Sequence, residues 1–270
     1  MSKDNNYLIN PFTGHDVWIH STYFTDPQTW VKIDPSKKSE RRDRFYIGAG
    51  ANLFKYGEST VFVKYKPTKL FNARLNHFGY TYEEANRFLD CVWNELLKAD
   101  DKTKKHFLNA YFHTFEDECS VEFSEWELEN LDIVIEDFGF GPCDEDDIKG
   151  AIRENLDNLL YTFYEEPFIQ HCLINLGYSG YMEADDELHY DTPSYTNVAV
   201  FESDFDNIEI LGTLSPMQNE KGEAGYQCPK CKGFYTTTFY SEMEDIENTE
   251  AMDFIMNILK TGKLECHKCL

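Results

Sequence analysis

Alternating and helical apolar patterns divide the chain into a strand-rich beginning, a helical middle and a second strand-rich segment. Short β-branched and aromatic runs predict strands at residues 17–20, 45–47 and 60–65. From Thr81 to Phe168, apolar residues recur at helical spacing, which predicts several amphipathic helices. The sequence therefore predicts an α+β fold with a helical insert at about 81–168.

The boundaries of the helices follow from their capping residues. Thr81 and Glu84 form a capping box. The helix that follows has one apolar face, made of Phe88, Leu89, Val92, Trp93, Leu96 and Leu97. A second helix is expected at about 104–115, Ser124 is expected to cap a third, and the acidic run 144–147 is expected to open a fourth.

The stretch from Leu173 to Leu211 predicts a corner at which a helix gives way to strands. Pro167 suits the start of this helix, and Gly177 suits a helix end that requires a positive φ. Strands are then expected at 179–182, 197–201 and 208–211. The first two are separated by an acidic loop that contains Glu183, Asp185, Asp186 and Glu187.

Charge changes what the fold can bind. The net charge of the 270 residues is −24, which repels phosphate backbones and makes direct nucleic-acid binding unfavourable. Residues 116–147 hold fourteen carboxylates and no basic residue. We interpret this run as a solvated helix face; the alternative is a surface that docks a basic partner or mimics the charge of DNA. The chain shows no apolar segment long enough to span a membrane and no signal segment, which favours a cytoplasmic protein.

The cysteines give the most specific local signal. Two CxxC pairs lie near the end of the chain, Cys228 with Cys231 and Cys266 with Cys269. Four thiolates on two tight turns suit tetrahedral Zn²⁺, and a site with four protein ligands is structural. Redox cysteines are the alternative, and His267 is a competing ligand inside the second pair. We predict a zinc-ribbon module at 215–270 with a polar linker at 215–225, a strand at 233–240 and a helix at 241–260.

The order of these parts resembles the ADP-ribosyltransferase-like superfamily of phage and toxin proteins. Matching segments are Ile19-His20-Ser21-Thr22, Phe45-Tyr46-Ile47, Ala51 to Lys66 with Tyr56-Gly57-Glu58, Leu176 to Tyr181, and Val198-Ala199-Val200-Phe201 followed by Ile208. The layout is similar to that of phage anti-CRISPR ADP-ribosyltransferases. Ser21 stands where the family has glycine, and no arginine precedes Arg41, so the His-first subgroup fits and the arginine-first subgroup does not.

The resemblance implies split antiparallel sheets in residues 1–214 and a site for NAD as substrate. By position, His20, Thr22, Tyr46 and Tyr56 would bind NAD. Cleavage of the nicotinamide–ribose bond develops positive charge, which a carboxylate stabilises. The candidates for this carboxylate are Glu183, Asp185 and Glu202, and we expect one of them to share a pocket with His20 and Tyr46.

The expected function is NAD-dependent ADP-ribosylation of a macromolecule, with a phage or toxin effector acting on a host protein as the implied role. Two alternatives remain at this point. One is a non-enzymatic acidic protein that sequesters a host factor, and the other is a zinc-ribbon adaptor on an inert scaffold. For the single residues, a core histidine bonded to the backbone is the alternative interpretation of His20, and a half-buried strand residue is the alternative interpretation of Tyr46.

Overall fold

The structure is a computed structural model that describes most of the strand-rich segments and part of the helical ones. It describes residues 6–22, 44–50, 59–72, 82–104, 167–184, 193, 196–236 and 250–269. The chain divides into two compact units. The first unit combines Met1–Thr68 with Asp191–Leu270, and the second unit is Lys69–Tyr190. No helix among these described ranges is long and apolar enough to cross a membrane.

The fold class is α+β, as the apolar patterns predict; the described residues form a mixed sheet of seven strands and a small sheet of three. The strands of the larger sheet are β1 (Trp18–Thr22), β2 (Arg44–Gly48), β3 (Ser59–Tyr65), β4 (Leu70–Asn72), β5 (Gly180–Ala184), β6 (Thr196–Phe201) and β7 (Ile208–Leu214). Those of the smaller sheet are β8 (Met217–Gln218), β9 (Ala224–Gln227) and β10 (Phe234–Thr236). The long helices of the described residues are α1 (Tyr82–Leu96), α2 (Pro167–Asn175) and α3 (Glu250–Thr261).

Five antiparallel strands form the first unit's part of the larger sheet, in the order β6-β2-β1-β3-β7. Side chains alternate between its two faces. Ile19 on β1 lies opposite Phe62 on β3, and both are fully buried on the face that we call the ribbon face. Trp18 lies opposite Val63 on the other face, where both are also fully buried. Both faces of these central strands are therefore covered, which accounts for their nearly continuous apolar sequence.

The C-terminal residues share a core with the ribbon face. One apolar cluster joins Ile19 and Phe62 to helix α3, to the strands β9 and β10 and to two cysteines of the CxxC turns, which we call the knuckles (228–231 and 266–269). Its buried members are Val17, Ile19, Phe62, Leu214, Tyr226, Cys228, Tyr235, Ala251, Phe254, Ile255, Ile258, Leu259 and Cys266. Gly212 on β7 has a φ of 151°, and a Cβ at this position would lie 2.7 Å from Leu264 Cδ2. The proposed domain division at residue 215 stays a prediction. The shared core means that residues 215–270 pack against β1 and β3 of the preceding part of the chain.

The linker predicted at 215–225 is in fact a hairpin of β8 and β9. Asn219 forms its turn, because its side-chain Oδ1 accepts hydrogen bonds from the backbone N–H groups of Lys221 and Glu223 at 2.9 and 3.0 Å. Gly222 has a φ of 80° and donates its N–H to the carbonyl of Asn219 at 2.9 Å. A polar composition with glycine is common to linkers and tight turns, and the side-chain bonds of Asn219 make this segment a turn.

The second unit contains α1, α2 and a parallel pair of strands, β4 and β5. The ring of Phe71 on β4 lies 4.9 Å from the ring of Phe88 on α1 and 5.2 Å from the ring of Tyr178. Gly177 ends α2 with a φ of 80°, as predicted, and the next residue donates its N–H to the carbonyl of Leu173 at 3.0 Å. The corner after α2 is thus built by a helix-terminating motif and aromatic packing.

Five of the six residues predicted for the apolar face of α1 have described side chains; the side chain of Leu89 lies outside the described part of the structure. Phe88, Val92, Trp93 and Leu96 are buried, whereas Leu97 follows the last residue of the helix and is 55% exposed. Residues 101–104 are helical. Thr81, the rest of the helix predicted near 104–115, the two helices predicted to begin at Ser124 and at 144–147, and the acidic run 116–147 lie outside the described residues.

Candidate metal centre and the predicted NAD site

The four predicted cysteines form one cluster. Their sulfur atoms all lie within 4.8 Å of one another. The Sγ–Sγ distances are 3.8 Å for Cys228–Cys269, 3.5 Å for Cys231–Cys266 and 3.5 Å for Cys266–Cys269. A tetrahedral zinc ion with Zn–S bonds of about 2.3 Å requires sulfurs about 3.8 Å apart. The cluster therefore has the ligand number and spacing of a structural zinc site, consistent with a zinc ribbon.

Two tight turns of the backbone bring these sulfurs together. In the first turn, Cys228 donates its N–H to the carbonyl of Gly233 at 2.9 Å and accepts from Lys232 N–H at 3.0 Å. Lys232 adopts a φ of 61°, which lets the chain reverse within five residues. In the second turn, Cys269 donates to the carbonyl of Cys266 at 2.9 Å. The CxxC spacing is thus what allows each pair to face a single ion.

Hydrogen bonds adapt the buried sulfurs to metal binding. Burial would raise the pKa of Cys266, but contacts from the Tyr235 hydroxyl, two neighbouring cysteines and the Lys268 N–H lower the pKa to about 6. Burial also opposes ionisation of Cys228, and the backbone N–H groups of Cys231, Cys266 and Lys230 lower its pKa. Burial and the other three thiols raise the pKa of Cys269 to about 12, since adjacent thiolates repel one another. A divalent cation removes this repulsion, so the donor set fits Zn²⁺.

Groups around the sulfurs support the cluster from outside. The ring of Tyr235 is buried, and its hydroxyl lies beside Cys266 Sγ. Within the described residues this hydroxyl has no hydrogen-bond partner of standard geometry, and its polar contact with the sulfur lowers the pKa of Cys266. Lys230 Nζ forms an ion pair with Glu265 and donates to the carbonyl of Cys269 at 3.2 Å. The exposed His267 lies in the second turn, and its ring centroid is 6.2 Å from that of Tyr235.

We predict that Tyr235→Phe weakens zinc binding without removing it. The substitution removes the hydroxyl that lies beside Cys266 and lowers the pKa of this thiol, and the loss of such an outer partner typically lowers metal affinity by about 10- to 100-fold. Tyr226→Phe is the matched control, since Tyr226 is equally buried on β9 but its hydroxyl bonds Thr60. Competition with a chromophoric chelator measures both affinities. Equal affinities in the two variants would contradict the role assigned to the Tyr235 hydroxyl.

The structure describes some of the residues predicted to bind NAD and some of the candidate catalytic carboxylates. Thr22 ends β1, where its backbone pairs with Ser59. Tyr56 and Asp185 lie outside the described residues. Glu183 is on β5 in the second unit and is 4% exposed, whereas Glu202 is exposed at the start of a 3₁₀ helix, Glu202–Asn207, after β6.

His20 has the surroundings of a structural histidine. Its Nδ1 lies 2.7 Å from the carbonyl oxygen of Tyr46 and must carry a hydrogen, because a carbonyl only accepts. Its ring stacks on Phe45 with centroids 4.1 Å apart. Burial lowers the pKa of His20 to about 4, and the bond to Tyr46 only partly offsets this. The ring is therefore neutral near pH 7.

The prediction that His20 and Tyr46 share a pocket is wrong. Consecutive residues of a strand point to opposite faces, so Phe45 and Tyr46 are on different sides of β2. Phe45 is on the side of the His20 ring. Tyr46 is on the ribbon face, where Ile19 pairs with Gly48, and its ring lies 5.8 Å from the Arg44 guanidinium. The family motif aligned both residues with strands but did not fix which face of the sheet each side chain occupies.

We predict that His20 makes the protein less stable in mild acid. With a folded pKa of about 4 and an ordinary value of 6.5, the unfolded chain binds the proton first as the pH falls. The stability present above pH 6.5 is therefore lost between about pH 6.5 and 4, by at most about 3 kcal/mol. His20→Gln should flatten this part of the pH profile of urea unfolding, and the exposed His15→Gln should not. Identical profiles for wild type and His20→Gln would refute the assignment.

Two buried polar residues organise the first unit, and neither was singled out from the sequence. Asp204, only 3% exposed, accepts hydrogen bonds from Tyr65 Oη at 2.8 Å, Thr68 N at 3.0 Å, Thr68 Oγ1 at 2.6 Å and Asn207 Nδ2 at 2.6 Å. Asn10 is fully buried and bonds four backbone groups. The only signal in the sequence is that Asn and Asp favour turns, and such residues are common.

Comparison with known proteins identifies no relative of this chain. No family model matches the chain, no curated protein matches it, and no solved structure matches it.

Proposed function

We propose that this protein is an acidic binding protein whose C-terminal cysteines hold one structural Zn²⁺. The observation that carries the proposal is the position of His20 and Tyr46 on opposite faces of the sheet. This arrangement removes the pair on which the NAD-site hypothesis depended. The four-cysteine cluster supports a metal with a structural role, since the protein supplies all four ligands of a tetrahedral site.

The partner that fits this chemistry is a basic protein surface. A net charge of −24 accelerates association with a positively charged partner and repels nucleic-acid phosphates. The strongest candidate for the contact region is the segment 116–147, with fourteen carboxylates and no basic residue. Contacts between exposed charges weaken over a Debye length of about 8 Å at physiological salt, so the affinity should fall steeply with ionic strength.

The test compares two sets of variants. One set changes carboxylates within 116–147, and the other changes Glu202, a candidate catalytic residue of the transferase hypothesis. Host proteins retained by the immobilised protein are identified and their affinities measured at two ionic strengths. Replacing four carboxylates within 116–147 by Lys should abolish binding, and replacing the same four by Gln should weaken it less. Glu202→Gln should bind as wild type does. Retention that is unaffected by charge reversal and by salt would rule out this mode of binding.

ADP-ribosylation is the second candidate, with split antiparallel sheets as its implied fold. The observation that favours it is that the segments of the resemblance that are described, β1, β2, β3, α2, β6 and β7, are strands and a helix in the expected order. Incubation with labelled NAD and host lysate tests it directly. Label on protein or nucleic acid that disappears in Glu183→Gln or Glu202→Gln would establish the transferase and displace the binding proposal.

A further inference from the structure

The four sulfurs of the metal centre differ in their access to solvent. Cys228 and Cys266, the first cysteine of each knuckle, are fully buried. Cys231 is exposed and Cys269 is half-buried, so the second cysteines face outward. A dissolved oxidant can therefore reach Cys231 and Cys269, whereas Cys228 and Cys266 are protected by burial. The Sγ atoms of Cys231 and Cys269 lie within 4.8 Å of each other.

Three lysines belong to the segments that carry the outward cysteines, and one of them, Lys230, is ion-paired with Glu265. Lys230, Lys232 and Lys268 are all exposed and lie in or next to the two knuckles. Lys268 Nζ is 5.6 Å from the centroid of the Tyr235 ring, which packs beneath Cys266. Positive charge stabilises thiolates and assists their reaction with oxidants, which makes such cysteines the reactive ones in a protein. This cluster of lysines contrasts with the strongly acidic character of the chain as a whole.

We propose that the metal centre is a peroxide-responsive release site in which Cys231 and Cys269 form a disulfide. The inference rests on the proposed zinc site. Cys231 sulfur attacks one oxygen of hydrogen peroxide; the O–O bond breaks, and the leaving hydroxide takes a proton to form water. The resulting sulfenic acid is attacked by the Cys269 thiolate, the S–O bond breaks, and a second water leaves with one more proton. The two sulfurs lose two electrons and peroxide gains them.

The reaction removes two of the four metal ligands. Cys228 and Cys266 alone do not complete a tetrahedral site, so Zn²⁺ leaves. The two buried cysteines belong to the apolar cluster that joins α3 to Ile19 and Phe62. Release of the metal therefore acts on the packing of α3 against the ribbon face, and not on the knuckle turns alone. The cysteine cluster and helix α3 thus belong to the same apolar core.

The experiment uses the full-length protein after its zinc content has been measured. Absence of zinc at this stage would overturn the metal proposal itself, before any oxidant is added. With about one zinc per chain, hydrogen peroxide should release the metal to a chromophoric chelator, and peptide mapping should find the Cys231–Cys269 disulfide. Thiol reductant plus Zn²⁺ should restore the starting state, because a disulfide is reversible and higher oxidation states are not.

A histidine substitution separates metal binding from thiol chemistry. Cys231→His keeps four ligands for zinc but cannot form the disulfide, and release should be at least about tenfold slower than in wild type. Cys269→His serves the same purpose if the first variant does not retain zinc. Zinc retained by the wild type under peroxide overturns the inference. So does zinc release at an equal rate in a zinc-loaded histidine variant, or a disulfide that maps to Cys91 and Cys172 while the zinc stays bound.

Discussion

Removing the metal is expected to unfold the first unit, and not only the residues after 214. Structural zinc in small modules contributes on the order of 10–16 kcal/mol, comparable to the whole stability of a typical domain. Two of its ligands, Cys228 and Cys266, are fully buried in the cluster that contains Ile19 of β1 and Phe62 of β3. Loss of the ion therefore leaves α3 without its anchor and exposes the ribbon face.

Cys228→Ser and treatment with a strong chelator should give the same result. Hydrogen exchange should accelerate in β1 and β3 as well as in β9 and α3, and thermal unfolding should shift to lower temperature or lose its cooperativity. Cys91→Ser is the matched control, since Cys91 is a half-buried cysteine on α1 outside the cluster. If protection were lost only after residue 214, residues 215–270 would be an independent module and the shared core would contribute little to the stability of the sheet.

Asn10→Ala is expected to cost about 3 to 5 kcal/mol of unfolding free energy. The Nδ2 group of Asn10 donates to the carbonyl oxygens of Val17 and Ala49, both at 2.8 Å. Its Oδ1 accepts from the N–H groups of Phe12 at 2.9 Å and Thr13 at 3.3 Å. Each buried polar group left without a partner costs about 1 to 3 kcal/mol, and alanine orphans several at once. Asn10 thus links the segment before β1 to Ala49, the residue that follows β2, by hydrogen bonds.

The matched control is Asn219→Ala in the hairpin between β8 and β9. Asn219 makes a similar number of local bonds, but in an exposed turn where water replaces them. Its substitution should cost no more than about 1 kcal/mol. Urea unfolding of both variants, with zinc saturating, measures the difference. Equal losses would mean that burial of Asn10 is not what makes its bonds important.

The four-cysteine cluster shows how much a short sequence pattern can determine. Two CxxC pairs identified all four of its members, because a tight turn of four residues brings both of its cysteines to one side whatever the rest of the fold does. The positions of β1, β2, β3, β6 and β7, and the end of α2 at Gly177, were likewise predicted, since they follow from β-branched runs and from the need for a positive φ. These features depend on neighbouring residues.

Only the tertiary structure decided where side chains from distant segments lie. The sequence placed His20 and Tyr46 on strands, but the pairing of Ile19 with Gly48 is what assigns them to opposite faces, and a shift by one residue would reverse that assignment. In the same way, Asn10 and Asp204 looked like ordinary turn residues until burial gave each of them four hydrogen bonds. The packing of α3 on the ribbon face brings into one apolar cluster residues that lie more than two hundred positions apart in the chain, such as Ile19 and Phe254, and no local pattern records this.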